Sequence, residues 1–184
     1  MTAREGFGGW EASAIVGDAP CGFVPIDWLK EDVDASSDPV ASGVTLTVEV
    51  RYFPSGRMPW ALIGGQFEPS SDGPVEFVVG HSGETKVGEA RSCQGPLGRR
   101  LVPALPLEFA RGAISGFGRC SAPLPPGCLS VTAGGYDEVE SSFWIFESAA
   151  CLLRSLFSTA LRGDGVTDDV LYVGLQQCAA MARQ

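Results

Sequence analysis

From Phe143 to Phe157 the chain reads as one helix with apolar residues on nearly every face: Phe143, Ile145-Phe146, Ala149-Ala150, Leu152-Leu153 and Leu156-Phe157. A helix without a polar stripe is stable only when other elements surround it, so this one must lie at the centre of the fold. Ser141-Ser142 offers a cap at its start, Glu147 an acid in an early turn, and Gly163 and Gly165 a stop. A chain of 184 residues can supply the surroundings as one domain with extensions, burying a core without covalent staples.

The strongest strand signal begins at Val44. Val44, Leu46, Val48, Val50 and Tyr52 point one way, and the intervening Thr, Glu and Arg residues point the other. That period of two predicts a half-buried strand. Pro54-Ser55-Gly56 turns the chain into a second strand, Trp60 to Phe67, and Ser70-Ser71-Asp72-Gly73-Pro74 turns it into a third, Val75 to Val79. Consecutive hairpins of this kind make an antiparallel meander. Gly80 to Gly98 reads as a loop, and a helix is expected from Pro106 until Gly116 and Gly118 end it. Cys128 to Thr132 reads as a fourth strand, and Thr167-Asp168-Asp169 caps a last helix over Val170 to Ala182. The order β-β-β-α-β-α predicts an α+β two-layer sandwich, a mostly antiparallel four-stranded sheet with helices on one face. Residues 1–43 read as an acidic N-terminal extension, 44–163 as the domain, and 164–184 as a C-terminal helix packed on it.

Charge separates the extension from the rest. Glu5, Glu11, Asp18, Asp27, Glu31, Asp32, Asp34 and Asp38 face only Arg4 and Lys30 there, so most of the formal charge of -9 sits in that segment. An acidic chain repels phosphate backbones at long range, which argues against nonspecific nucleic-acid binding. The six cysteines (Cys21, Cys93, Cys120, Cys128, Cys151, Cys178) form no C-x-x-C pair, and His81 is the one histidine. No zinc site is expected from that spacing, nor any other metal or cofactor. The N-terminus lacks the charged start and apolar core of an export signal, and no apolar run is long enough for a membrane span. Reduced, mostly buried thiols in a cytoplasmic protein are therefore expected.

Four stretches carry a family resemblance. They are Gly56-Arg57-Met58-Pro59-Trp60-Ala61-Leu62-Ile63-Gly64-Gly65-Gln66-Phe67-Glu68-Pro69 with Glu76-Phe77-Val78 after it, then Val102-Pro103-Ala104 with the helix beyond to Ser115-Gly116, and last Tyr136-Asp137-Glu138-Val139-Glu140-Ser141-Ser142. In this order they resemble the fourth domain of bacterial elongation factor G. The first lies without a gap on the family's GRGQYGHVKIKVEP, sharing Gly56, Arg57, Glu68 and Pro69 and keeping an aromatic at Trp60. The likeness covers residues 44–160 and implies a left-handed βαβ crossover, an exception to the usual handedness. It also implies a ribosomal setting, with two tip loops as the binding end: Ser55, Gly56 and Arg57 in one, and Gly134, Gly135, Tyr136, Asp137 and Glu138 in the other.

This chain departs from the family at that end. Leu62 and Asp137 stand where the family has histidines, and the loop Ala133-Gly134-Gly135 is shorter. A carboxylate at a tip disfavours approach to RNA. Neither Lys30 nor Lys86 follows a glycine, so the chain has no phosphate-binding loop of a GTPase. Arg91, Arg99 and Arg100 are candidate phosphate contacts, with Arg51, Arg57, Arg111 and Arg119 beyond them, because the guanidinium fork suits phosphate. Glu138 and Glu140 with Asp137 offer carboxylates for acid–base work, against a plainer reading as a solvated turn before a helix. His81-Ser82 lacks the closing glycine of a nucleophile elbow and a second histidine to act as base. The expectation is a non-enzymatic binding module, with the ribosome or its RNA as the partner the resemblance implies. The alternatives are a homodimer pairing through the open face of its sheet, and an enzyme using the carboxylates.

Overall fold

A computed structural model describes residues 2–36, 42–53, 56–83 and 92–181. Among the described residues nine strands and three helices follow one another: β1 (Thr2–Phe7), β2 (Trp10–Val16), β3 (Asp27–Val33), β4 (Val44–Tyr52), β5 (Trp60–Pro69), β6 (Val75–His81), β7 (Cys93–Gln94), β8 (Arg100–Pro103), α1 (Leu107–Arg119), β9 (Gly127–Tyr136), α2 (Phe143–Leu161) and α3 (Asp168–Met181). The fold is mixed α+β. Its main strand order is β1-β2-β4-β5-β9-β6-β3, with β8 on the far half of β9 and β7 on β8. All pairs are antiparallel except β6–β9, which the chain joins by crossing over through α1.

The sheet is wider than the four strands expected from the sequence. The segment read as an acidic extension supplies β1 and β2 at one edge and β3 at the other. Trp10, Ala12 and Ala14 of β2 turn into the core while Glu11 and Ser13 turn away, but alanine is a poor strand former and the neighbouring acids and glycines mask the period.

α2 occupies the central position that its composition demands. It packs on α1, α3, β4 and β5. Phe146, Ala149, Leu153 and Phe157 have no exposed surface and share a core with Leu46, Val48, Val50, Ile63, Phe77 and Val131. Each buried Leu or Phe side chain contributes about 1.5–3 kcal/mol. Phe109 stacks on Phe146 at 4.8 Å and Phe77 on Phe117 at 4.9 Å, so α1 is bound to both α2 and the sheet through aromatic pairs.

Two expectations about local chemistry are corrected. α1 does not end at Gly116 and Gly118 but runs through them to Arg119. A Cβ on Gly112 would overlap the Phe143 carbonyl oxygen, and one on Gly116 would overlap that of Glu147. These glycines let two helix backbones approach closely. Ser142 stands at the cap of α2 with extended backbone, yet its hydroxyl makes no cap hydrogen bond and is buried without a partner among the described residues. The last helix is capped as expected, with Thr167 Oγ1 accepting from the Val170 N–H at 3.4 Å.

Cys21 and Cys93 form a disulfide, so uniform reduced thiols are also corrected. Cys120, Cys151 and Cys178 are free and buried, and Cys128 is free and half-buried. Among the described residues no helix is long and apolar enough to cross a membrane.

Candidate functional site

Ala61 of β5 pairs with Tyr136 of β9, so the loop entering β5 and the loop leaving β9 emerge at the same end of the sheet. They are bonded together. The Met58 N–H donates to Glu140 Oε2 at 3.0 Å, and the Ser141 hydroxyl donates to the Trp60 carbonyl. That hydroxyl also accepts the Asp137 N–H at 2.9 Å. Asp137 is the hub of the second loop. Its Oδ1 accepts from the N–H groups of Val139 (3.0 Å) and Glu140 (2.9 Å), and its Oδ2 takes Arg99 Nε (2.9 Å) and Nη2 (2.5 Å). Partial burial pushes the Asp137 carboxyl up, but the two backbone N–H groups and Arg99 outweigh it and hold the group below its ordinary value.

The tip therefore spans residues 137–142, not Gly134 to Tyr136. Gly134, Gly135 and Tyr136 are buried at the end of β9. A Cβ on Gly135 would sit 3.1 Å from Leu101 and 3.4 Å from Leu62, and one on Gly134 would sit 3.0 Å from the Ala104 carbonyl oxygen. Glycine-glycine here makes room for the 101–105 segment; it does not form an exposed loop. In the first loop Gly56 has φ +81°, a left-handed turn that suits glycine, and Arg57 is exposed. Glu138 is exposed as well, and Val139 is 83% exposed. Ser55 and Arg91 lie outside the described residues.

The arginines do not gather into one phosphate-binding face among the described residues. Arg99 is committed to Asp137 and lies 5.2 Å from the Trp60 ring; Arg100 is exposed at the start of β8. Arg51 approaches Trp60 at 5.0 Å but pairs with Glu11, which also takes Arg4. Arg119 pairs with Glu147 at 3.1 Å, and Arg111 is exposed on α1. Burial pushes Glu11 up, and the two guanidiniums more than offset it.

Behind the tip lies a group that alternation alone misplaces. Glu49 points to the polar side of β4, where a solvated residue is expected, yet it has no exposed surface. Residues 93–101 fold over it as a hairpin. Leu97 and Leu101 join Trp60, Leu62 and Cys21 in a small cluster on the face opposite the helices. Trp60 Nε1 and the Leu97 N–H both donate to the Glu49 carboxylate at 2.5 Å, and a Cβ on Gly95 would collide with it. Burial raises the Glu49 carboxyl above its ordinary value, against the pull of the Leu97 and Trp60 N–H groups and the charges of Arg51 and Arg4. The signals for this lid are the glycines at 95 and 98 between Leu97, Leu101 and a cysteine, in a stretch that otherwise reads as loop.

Neither protein families, curated proteins nor solved structures provide a match to this chain. The chemistry of the site must therefore be read from its own groups. Glu140 and Asp137 are spent on holding the loops together, and Glu49 is sealed from water. His81 is buried, with Nδ1 accepting the Gly83 N–H at 3.2 Å to hold a turn. Among the described residues no three His, Cys, Asp or Glu side chains converge to hold a metal. A groove of about 620 Å³ between α2 and α3, lined by Ser155, Ser158, Thr159, Arg162, Asp169 and Gln177, contains neither Glu138 nor Glu140.

Proposed function

We propose that the chain is a non-enzymatic binding module built on a core of the elongation-factor-G fourth-domain kind, meeting its partner at the end formed by residues 56–60 and 137–143. One observation carries this reading: two loops distant in sequence are hydrogen-bonded to each other, and they expose Arg57 in one and Val139 in the other. Loops fixed to each other lose little conformational entropy on binding, which favours recognition. The core supports the resemblance, since β4, β5 and β6 are followed by a crossover through α1 to a parallel neighbour, β9, and then by α2. The N-terminal strands are additions to that core.

The ribosome is the partner the resemblance implies. Co-sedimentation with ribosomes at low and high salt tests it. The chain should pellet at low salt, and Arg57→Glu or Val139→Asp should weaken pelleting about tenfold, the size of a modest hot spot. A chain that stays in the supernatant at both salt concentrations overturns the ribosomal assignment.

Self-association is a second reading, favoured by a different surface. Val24 (88% exposed), Ile26 (72%) and Trp28 (42%) form an apolar strip at β3, an edge strand. Light scattering should then give twice the chain mass, and Ile26→Glu should return it to the monomer value.

A further inference from the structure

The hairpin over Glu49 has few ties to the body of the protein. β7 and β8 pair with each other, and the Gln94 side chain bonds the Gly98 carbonyl, so these contacts move with the hairpin. Among the described residues what crosses to the rest is two residue pairs of β8 on β9, the Leu97 N–H on Glu49, Arg99 on Asp137 and over the Trp60 ring, Leu97 and Leu101 in a cluster separate from the main core, and Val102 at the edge of the main core. The covalent tie is the Cys21–Cys93 disulfide, which bridges 72 residues of sequence.

We propose that this disulfide is a redox latch: its reduction lets the 93–101 hairpin lift from the sheet and uncover Glu49, Trp60 and Leu62. Two features of the closed state favour release once the bond is cut. Among the described residues Cys21 is the non-glycine residue at positive φ (64°), a left-handed backbone that L-residues avoid. It is kept there by the disulfide, by the Gly134 N–H on its carbonyl at 3.1 Å, and by the neighbouring bridge of Gly22 to Ala133. Glu49 is the second feature, because a carboxyl sealed from water regains hydration when the lid opens.

The reaction is thiol–disulfide exchange with a dithiol reductant. A thiolate attacks the sulfur of Cys93, the half-buried partner, and expels Cys21 as a thiolate that takes up a proton. The reductant's second thiol then displaces Cys93, leaving two protein thiols and one oxidised, cyclic reductant. Cys120, Cys151 and Cys178 are buried within the helical layer, and the hydrogen bond that the Cys120 thiol donates at Cys151, together with burial, pushes that thiol up, away from the reactive thiolate. The latch pair is thus the reducible site among the described residues.

Hydrogen exchange read by mass spectrometry on the full chain, before and after dithiothreitol, tests the latch, with alkylation reporting which cysteines are free. The expected result is alkylation of Cys21 and Cys93 with exchange at least tenfold faster over 93–101, while β4, α1 and α2 are unchanged. Cys93→Ser should reproduce that pattern without reductant. Unchanged exchange over 93–101 in the doubly alkylated protein would overturn the latch. So would a uniform rise across α1 and α2, which marks a purely structural disulfide, or a bond that resists dithiothreitol in the folded chain.

Discussion

Gly116→Val is expected to cost more than about 3 kcal/mol and to lower the melting temperature by roughly 6–12 °C in a chain of this length. The reason is geometric. Any β-carbon at 116 would occupy the space of the Glu147 carbonyl oxygen, which belongs to the backbone of α2 and cannot turn aside. α1 must then separate from α2, and the Phe109–Phe146 and Phe77–Phe117 stacks open with it. Gly118→Ala is the matched control. Its added carbon would meet the Glu31 carboxylate, the movable end of a side chain, and alanine gains helix propensity. Thermal melts followed by circular dichroism should show Gly118→Ala within a few degrees of the parent and Gly116→Val far below it. Equal melting temperatures would mean that the helices do not touch at Gly116.

Glu49→Ala should be the most damaging single change on the opposite face, about 3 kcal/mol, because it strands the Trp60 and Leu97 N–H groups in a closed site. The cost depends on pH with a definite sign. The folded protein holds the Glu49 proton more tightly than the unfolded chain, so the stability from its protonated form is fully present below the ordinary glutamate range. It is lost as pH rises through the raised folded value. Glu11 and Asp137 act in the opposite sense. Both carboxyls are lowered in the folded protein, and their stabilisation is lost as pH falls through those lowered values. Urea unfolding of Glu49→Gln across acid to neutral pH separates the two effects. The variant should lack the decline that begins at the ordinary glutamate range and keep the acid loss. The charged groups around Glu49 are Arg51, Arg4, Glu11 and, beyond Trp60, Arg99. A variant with the parent's full pH profile would place the raised carboxyl elsewhere.

Periodicity made the central part of the fold legible. The alternation at Val44 to Tyr52, the turns that follow it, and the unbroken apolar surface of Phe143 to Phe157 each report a face that must be covered, and the structure covers them. What periodicity does not report is who covers the other face. Glu49 looks solvated because its cover is a hairpin some fifty residues on, and no local pattern encodes that contact. Glycine was ambiguous for a related reason. It serves equally to stop a helix, as at Gly163, or to admit a neighbouring backbone, as at Gly112, Gly116, Gly134 and Gly135. The acidic N-terminal strands sit at sheet edges, where burial is partial and the apolar signal is weak. Asp137 shows how residue type alone misleads: at a tip it suggests a repelling carboxylate, but Arg99 neutralises it and the backbone uses it as a turn.

Hydrogen-exchange footprinting of the chain with and without purified ribosomes tests the proposed binding end most directly. Protection confined to 56–60 and 137–143, with the rest of the surface unchanged, is the predicted result. Protection centred on β3 and Val24 to Trp28, or no protection at all at low salt, would contradict it.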